Sequence, residues 1–160
     1  MPRLTRRIDG ESAAVARDEL NNRLFFRLFQ TANLYEAQVT RELSCSAVQG
    51  AVLGALSRNV EQGMSFSALY TYLAVSRQNL DAVLKRLEQA AYVVRVERET
   101  DRRVKIVRLT AEGVAAWRDL RRRTIEFFRQ GTDGLTTTEV SACVEALARI
   151  SGALKGTKLG

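Results

Sequence analysis

Apolar residues recur about once per helical turn between Ala13 and Leu43. Leu20, Leu24, Leu28, Ala32, Tyr35 and Val39 form one stripe, and Phe25, Phe26 and Phe29 widen it. No proline or glycine interrupts the run, so it predicts a long helix that packs on more than one side. Residues 1–12 precede it as a basic arm, and Ser44-Cys45-Ser46 ends it while offering an N-cap to a second helix. In that helix Val48, Val52, Leu53 and Leu56 share a face as far as about Arg58. Glu61 to Met64 read as a turn with one or two extended residues. Ser65 then caps a short helix, Phe66 to about Leu73.

After Ala74-Val75, Ser76 caps a fourth helix in which Leu80, Val83, Leu84 and Leu87 share one face and Arg77, Gln78 and Asn79 lead. Two short helices across a turn of about three residues read as a helix-turn-helix. At Tyr92 the period falls from 3.6 to 2. Tyr92 to Arg98 and Lys105 to Leu109 are two β-rich runs joined by the charged connection Glu99 to Arg103, which together predict a wing. Thr110 caps a fifth helix to about Gln130, with Val114, Trp117, Leu120, Phe127 and Phe128 apolar. Thr136 and Glu139 make a capping box for a last helix carrying Val140, Val144, Leu147, Ile150 and Leu154.

The expected fold is therefore mainly α with a small antiparallel β wing: a winged helix-turn-helix plus a helical dimerisation layer. The corresponding division is a basic arm over 1–12, a dimerisation region of 13–45 with 111–155, a winged helix-turn-helix over 46–110 and a tail over 156–160.

Charge adds a partner to this picture. The chain carries +7, and between Ser76 and Arg108 nine basic residues face five acidic ones, so more than half of the excess lies in a fifth of the length. A polyanion suits that balance. There is no histidine, which removes the commonest general base and the commonest zinc ligand, and no phosphate-binding glycine loop or cleft-lining carboxylate pair is visible. An enzyme is disfavoured, and neither metal nor cofactor is expected. Cys45 and Cys143 are too few and too distant for a disulfide framework. No apolar run approaches a membrane span, and Asp9, Glu11, Arg17 and Asp18 interrupt any signal-peptide core, so no membrane partner and a cytoplasmic location are expected.

Asp101-Arg102-Arg103, five further residues, then Leu109-Thr110 and Gly113 resemble the wing signature of the MarR family of winged-helix transcription regulators. Leu73 to Ser76 and Leu84 to Glu88 resemble that family's recognition-helix pattern, and the likeness runs from about Leu20 to Leu154. One departure stands out. The family usually carries Gly-Leu just after the recognition helix, where this chain has Ala91-Tyr92. A left-handed alanine costs about 1 kcal/mol more than glycine, so either the turn differs or its surroundings absorb the penalty.

The resemblance implies a homodimer on double-stranded DNA, most often a repressor on a pseudo-palindromic operator, with helices one, five and six as the dimer layer. On the residues themselves, Ser76 and the helix N-terminus suit a phosphate, Arg77, Gln78 and Asn79 suit base edges, and Lys85 and Arg86 suit the DNA backbone. Asp101 is expected to pair with Arg103 and fix the wing tip, leaving Arg102 or Arg103 for the minor groove. The resemblance also implies release by a small effector. Asn33, Tyr35, Gln38, Arg41, Gln49 and Trp117 are the candidate lining, suited to an aromatic acid or its CoA thioester. Two alternatives stand beside this reading: an oxidant-sensing repressor using Cys45, a thiol near a helix N-terminus, and a winged-helix interaction or chromatin module without a ligand. Cys143, in the apolar run of the last helix, is expected to be packed.

Overall fold

Four aliphatic or small residues of one short helix, Val52, Leu53, Ala55 and Leu56, are all buried, and the rest of the lobe is assembled on them. The helix is α2, Ala47–Leu56, and α3, α4 and the third strand all pack against it. In this computed structural model the backbone is described for residues 3–98 and 101–158, and side chains for 13–97 and 104–158. The order is α1 (Arg3–Leu43), α2, β1 (Met64–Ser65), α3 (Phe66–Leu73), α4 (Arg77–Gln89), β2 (Val93–Arg98), β3 (Asp101–Leu109), α5 (Ala111–Gly131) and α6 (Thr137–Gly156). The chain divides into two units, Met1–Arg118 and Asp119–Gly160. Among the described residues no helix is long and apolar enough to cross a membrane.

In the first unit the helices start where their caps dictate. Ser46 accepts from the Gln49 amide at 3.1 Å, and its own amide donates to the Gln49 side chain at 2.8 Å. Ser65 and Ser76 accept from Ala68 and Asn79, each at 3.1 Å. These bonds satisfy amides that the first helical turn leaves open. The Glu36 carboxylate of α1 accepts from the Ala47 amide at 3.3 Å, and with buried Val39 and Leu43 it ties the end of α1 to α2.

Two boundaries differ from those expected. The helix expected from Ala13 begins at Arg3, so the segment read as an arm is helical; only Gly10 lowers its propensity, and no proline follows Pro2. The wing expected to have two strands belongs to a three-stranded antiparallel sheet in the order β1-β3-β2. Met64 pairs with Val107 and Ser65 with Ile106, which closes the free edge of β3 at the wing's base. β3 also starts at Asp101, inside the run expected to connect the strands, because a hairpin connection needs as few as two residues.

Among the described residues three non-glycines lie in the left-handed region, Ser44 (φ 57°), Ala74 (φ 53°) and Ala91 (φ 58°), and they end α1, α3 and α4. Ala91 occupies the position where the resemblance called for glycine. Its amide donates to the Glu88 carbonyl at 2.9 Å, and that of Tyr92 to the Leu87 carbonyl at 2.8 Å, the pair of bonds of a Schellman stop. Thr110 Oγ1 also donates to the Ala91 carbonyl at 2.6 Å. The turn is thus the usual one, held by neighbouring bonds in spite of the Cβ. Ala91→Gly is expected to stabilise the protein by about 1 kcal/mol, read as a higher urea midpoint with an unchanged slope.

The second unit holds the rest of α5 and α6. Thr136 and Glu139 form the expected capping box: the Thr136 amide donates to the Glu139 carboxylate at 2.8 Å, and the Glu139 amide donates back at 3.3 Å. The bond from the Thr136 amide, then one from the Thr136 hydroxyl at 2.7 Å, hold the Glu139 carboxyl below its usual range. Within this chain α6 buries no residue, and Val144 is 62% exposed. Cys143, expected to be packed, is exposed as well, because α6 buries no residue among the described ones.

Candidate nucleic-acid interface

Helix α4 is built as its pattern demanded. Leu80 and Leu84 are fully buried, Val83 and Leu87 nearly so, and Arg77, Gln78 and Asn79 in the opening turn are all exposed. The helix is anchored on one face and exposes its opening polar residues on the other. Ser76 accepts from the Asn79 amide and keeps its own hydroxyl proton to donate, while the amides of the first turn add the positive end of the dipole. Arg86 is exposed near the other end of the helix.

Arg77 already has a partner within the protein. Its Nη2 donates to the Tyr70 hydroxyl at 2.9 Å, and its guanidinium lies 4.6 Å from the centre of the Tyr70 ring. The bond from Arg77, with a second from Ser67, holds the Tyr70 phenol below its usual range. Tyr70 lies on α3, so this contact crosses the turn between the two short helices. From sequence alone Tyr70 reads as one of the apolar positions of α3, at helical spacing with Phe66, Leu69 and Leu73. Its spacing of seven residues from Arg77 was visible, but the fold of the turn that joins them was not.

Other charges of the basic segment are also engaged. Lys85 pairs with Asp81 at 3.0 Å, Lys105 with Glu97 at 2.7 Å, and Arg95 with both Asp81 at 2.9 Å and Glu88 at 3.0 Å. The raw count of basic residues therefore overstates the charge that is unpaired on this face. Lys85 and Lys105 remain solvent-exposed, where such pairs are weak and a phosphate can compete for them. The side chains of Asp101, Arg102 and Arg103, expected at the wing tip, lie outside the described residues; their backbone forms the start of β3.

The six residues proposed to line an effector pocket are placed as follows. Asn33 is exposed, Gln38 is half-buried, and Arg41 pairs with its neighbour Glu42 at 2.7 Å. Gln49 closes the α2 capping box, and Trp117 lies over Gly54, whose missing Cβ would stand 2.8 Å from the indole. Partial burial, then Glu36 and Cys45, raise the Tyr35 phenol above its usual range. Cys45 is half-buried at the junction of α1 and α2. Arg41 and Gln49 thus have partners that a ligand would have to replace.

The sequence profile of the MarR family matches residues 45–104, which run from the start of α2 into β3. Over 116 residues, 70% of this chain, the sequence is 45% identical to the transcriptional activatory protein BadR of Rhodopseudomonas palustris. The chain belongs to the MarR family. Its match spans 66% of the length of BadR, just under two thirds. Two solved structures share the MarR fold at lower identity. A mutant MarR from E. coli complexed with operator DNA has a TM-score of 0.68 at 24% identity, over 78% of this chain and 91% of that one. BpsR of Bordetella bronchiseptica, whose DNA binding is regulated by 6-hydroxynicotinic acid, has a TM-score of 0.70 at 23% identity, over 81% and 91%. The MarR relatives are regulators rather than enzymes.

Proposed function

We propose that the chain is a ligand-responsive transcription regulator that binds a pseudo-palindromic operator as a homodimer. The observation that carries this reading is the opening turn of α4, where three exposed base-pairing side chains stand on four buried aliphatic ones. In this reading Ser76 and the α4 N-terminus hold a phosphate, and Arg77, Gln78 and Asn79 read base edges. Lys85 and Arg86 contact the backbone, Asp101 fixes the wing tip, and Arg102 or Arg103 enters the minor groove.

Exposed apolar side chains support the dimer. Phe29 and Leu34 on α1 are 64% and 63% exposed, and α6 buries nothing within its own chain, so both helices present surface that a second copy would cover. The effector class is an aromatic acid or its CoA thioester; the regulation of BpsR by 6-hydroxynicotinic acid supports the free acid. Asn33, Tyr35, Gln38 and Trp117 are its first candidate contacts. The name of BadR favours activation over the repression expected from sequence. A promoter fusion assayed with and without the protein separates the two by the sign of the change.

The test of the DNA reading is selection from a random duplex pool followed by binding to each single-base variant of the selected site. Arg77→Ala and Gln78→Ala are expected to relax preference at particular positions, by about 1–3 kcal/mol per base pair read, while Arg86→Ala weakens all sequences alike. Equal losses on every sequence for Arg77→Ala and Gln78→Ala would remove them from base readout.

A further inference from the structure

Along β2 the side chains alternate, and Arg95 falls on the same face as buried Val93, where an apolar residue would be expected to meet α4. Its side chain is 24% exposed, and its Nε and Nη2 atoms are shielded from water. Nη1 donates to Asp81 Oδ1 at 2.9 Å, and Nε lies 3.0 Å from Glu88 Oε1 in a close ionic approach without hydrogen-bond alignment. Asp81 and Glu88 are seven residues apart, two turns along one face of α4, so a single guanidinium spans much of the helix. Lys85 sits between them and holds the second oxygen of Asp81 at 3.0 Å. Hydrogen bonds from Lys85 first, then Arg95, keep the Asp81 carboxyl below its usual range.

The position of this cluster gives it a role. At its base the wing is fixed by the pairing of β1 with Val107 and Ile106. A cleft of about 600 Å³, bordered by Ser65, Phe66, Asp81, Arg95, Val104 and Lys105, runs from that base toward the outer part of the wing. Arg95 crosses from β2 to α4 at the margin of that cleft. We infer that Arg95 is a positioning residue: it sets the angle of the wing against α4 through Asp81 and Glu88 and makes no DNA contact of its own. An arginine suits this place better than a lysine, because its planar fork can address two carboxylates while an ammonium acts as one point charge.

The consequence for DNA rests on the proposed function, whereas the effect on the wing does not, and two measurements on the full chain keep them apart. The first is amide hydrogen exchange without DNA in Arg95→Met, which keeps the stem and removes the charge. Val96, Glu97 and Lys105 are expected to exchange at least about tenfold faster, with Leu84 in α4 unchanged. The second is binding, as a function of salt, to duplexes that the wild-type protein selects from a random pool. Affinity is expected to fall about tenfold with the slope of log K against log salt unchanged, since no phosphate contact is lost. A slope shallower by about 0.9 would make Arg95 a phosphate ligand and overturn the inference. Unchanged exchange would overturn it equally.

Arg95→Lys is expected to fall between wild type and Arg95→Met, and full restoration would refute the two-carboxylate fork. Should Arg95→Met fail to fold, Glu88→Gln removes one anchor and is expected to show the same pattern at smaller amplitude; wild-type exchange in Glu88→Gln would count against the inference. If the wild-type protein selects no duplex, the DNA reading fails while the exchange result still decides the role of Arg95.

Discussion

Arg102→Ala and Arg103→Ala are each expected to weaken operator binding roughly tenfold or more and to make it less steeply dependent on salt, by about one unit of slope for each phosphate-directed charge lost. Both lie at the start of β3, where Arg98 pairs with Asp101 next to a register shift between Glu97 and Arg98. An irregularity of this kind increases local twist and turns a strand end out of line with its sheet. In the proposed complex a cation carried there enters the minor groove, whose negative potential is deepest over narrow A·T tracts, while α4 lies in the major groove. Gel shifts at moderate salt, with the dimer verified by size-exclusion chromatography, measure the effect. Unchanged affinity in an intact dimer would remove the wing arginines from the interface.

Gly113→Ala is expected to be strongly destabilising. A Cβ at Gly113 would stand 1.9 Å from the Tyr92 carbonyl oxygen and 2.8 Å from its carbon. That carbonyl accepts from the Thr110 amide at 3.1 Å, and Thr110 Oγ1 accepts from the Gly113 amide at 2.9 Å. The obstacle is therefore backbone on both sides, and relief requires separating the start of α5 from the start of β2. A cost of about 3 kcal/mol follows, or a fall in Tm of roughly 10 °C by calorimetry. Gly54→Ala meets the rim of Trp117 instead, a side chain that can turn aside, and should cost less. Equal melting of Gly113→Ala and wild type would mean that this junction yields.

Gly113 also shows what the sequence could convey. It was visible as part of a family signature, without a reason; the reason is a backbone approach that exists only once β2 and α5 meet. Helix α4 was legible almost to the residue, because a serine cap and four aliphatic residues at helical spacing are local signals. β1 was foreseen only as one or two extended residues after a turn and not as a sheet strand, since the Met64-Ser65 strand is defined by its partner β3 rather than by any pattern of its own. The ion cluster lay in between. Asp81, Lys85 and Glu88 share a helix face and Arg95 interrupts an apolar alternation, but counting Arg95 among DNA-facing charges missed that its carboxylate partners were across the fold. The wet faces of α1 and α6 were read as apolar stripes from sequence, and within one chain they remain without a cover.

The left-handed alanines on either side of α4 bear on how any signal can reach DNA. Ala74 turns the chain out of α3 just ahead of the Ser76 cap, and Ala91 stops α4 after Gln89, so the helix is closed at both ends at thirteen residues, about 20 Å. It can neither gain a turn nor fray one without losing a cap or a Schellman bond, and its four buried side chains oppose any slide along its axis. In the proposed dimer, an effector that loosened the grip on DNA would therefore have to tilt or carry α4 as one rigid rod, and the quantity to follow on binding would be the distance between two such rods rather than a change in helix content.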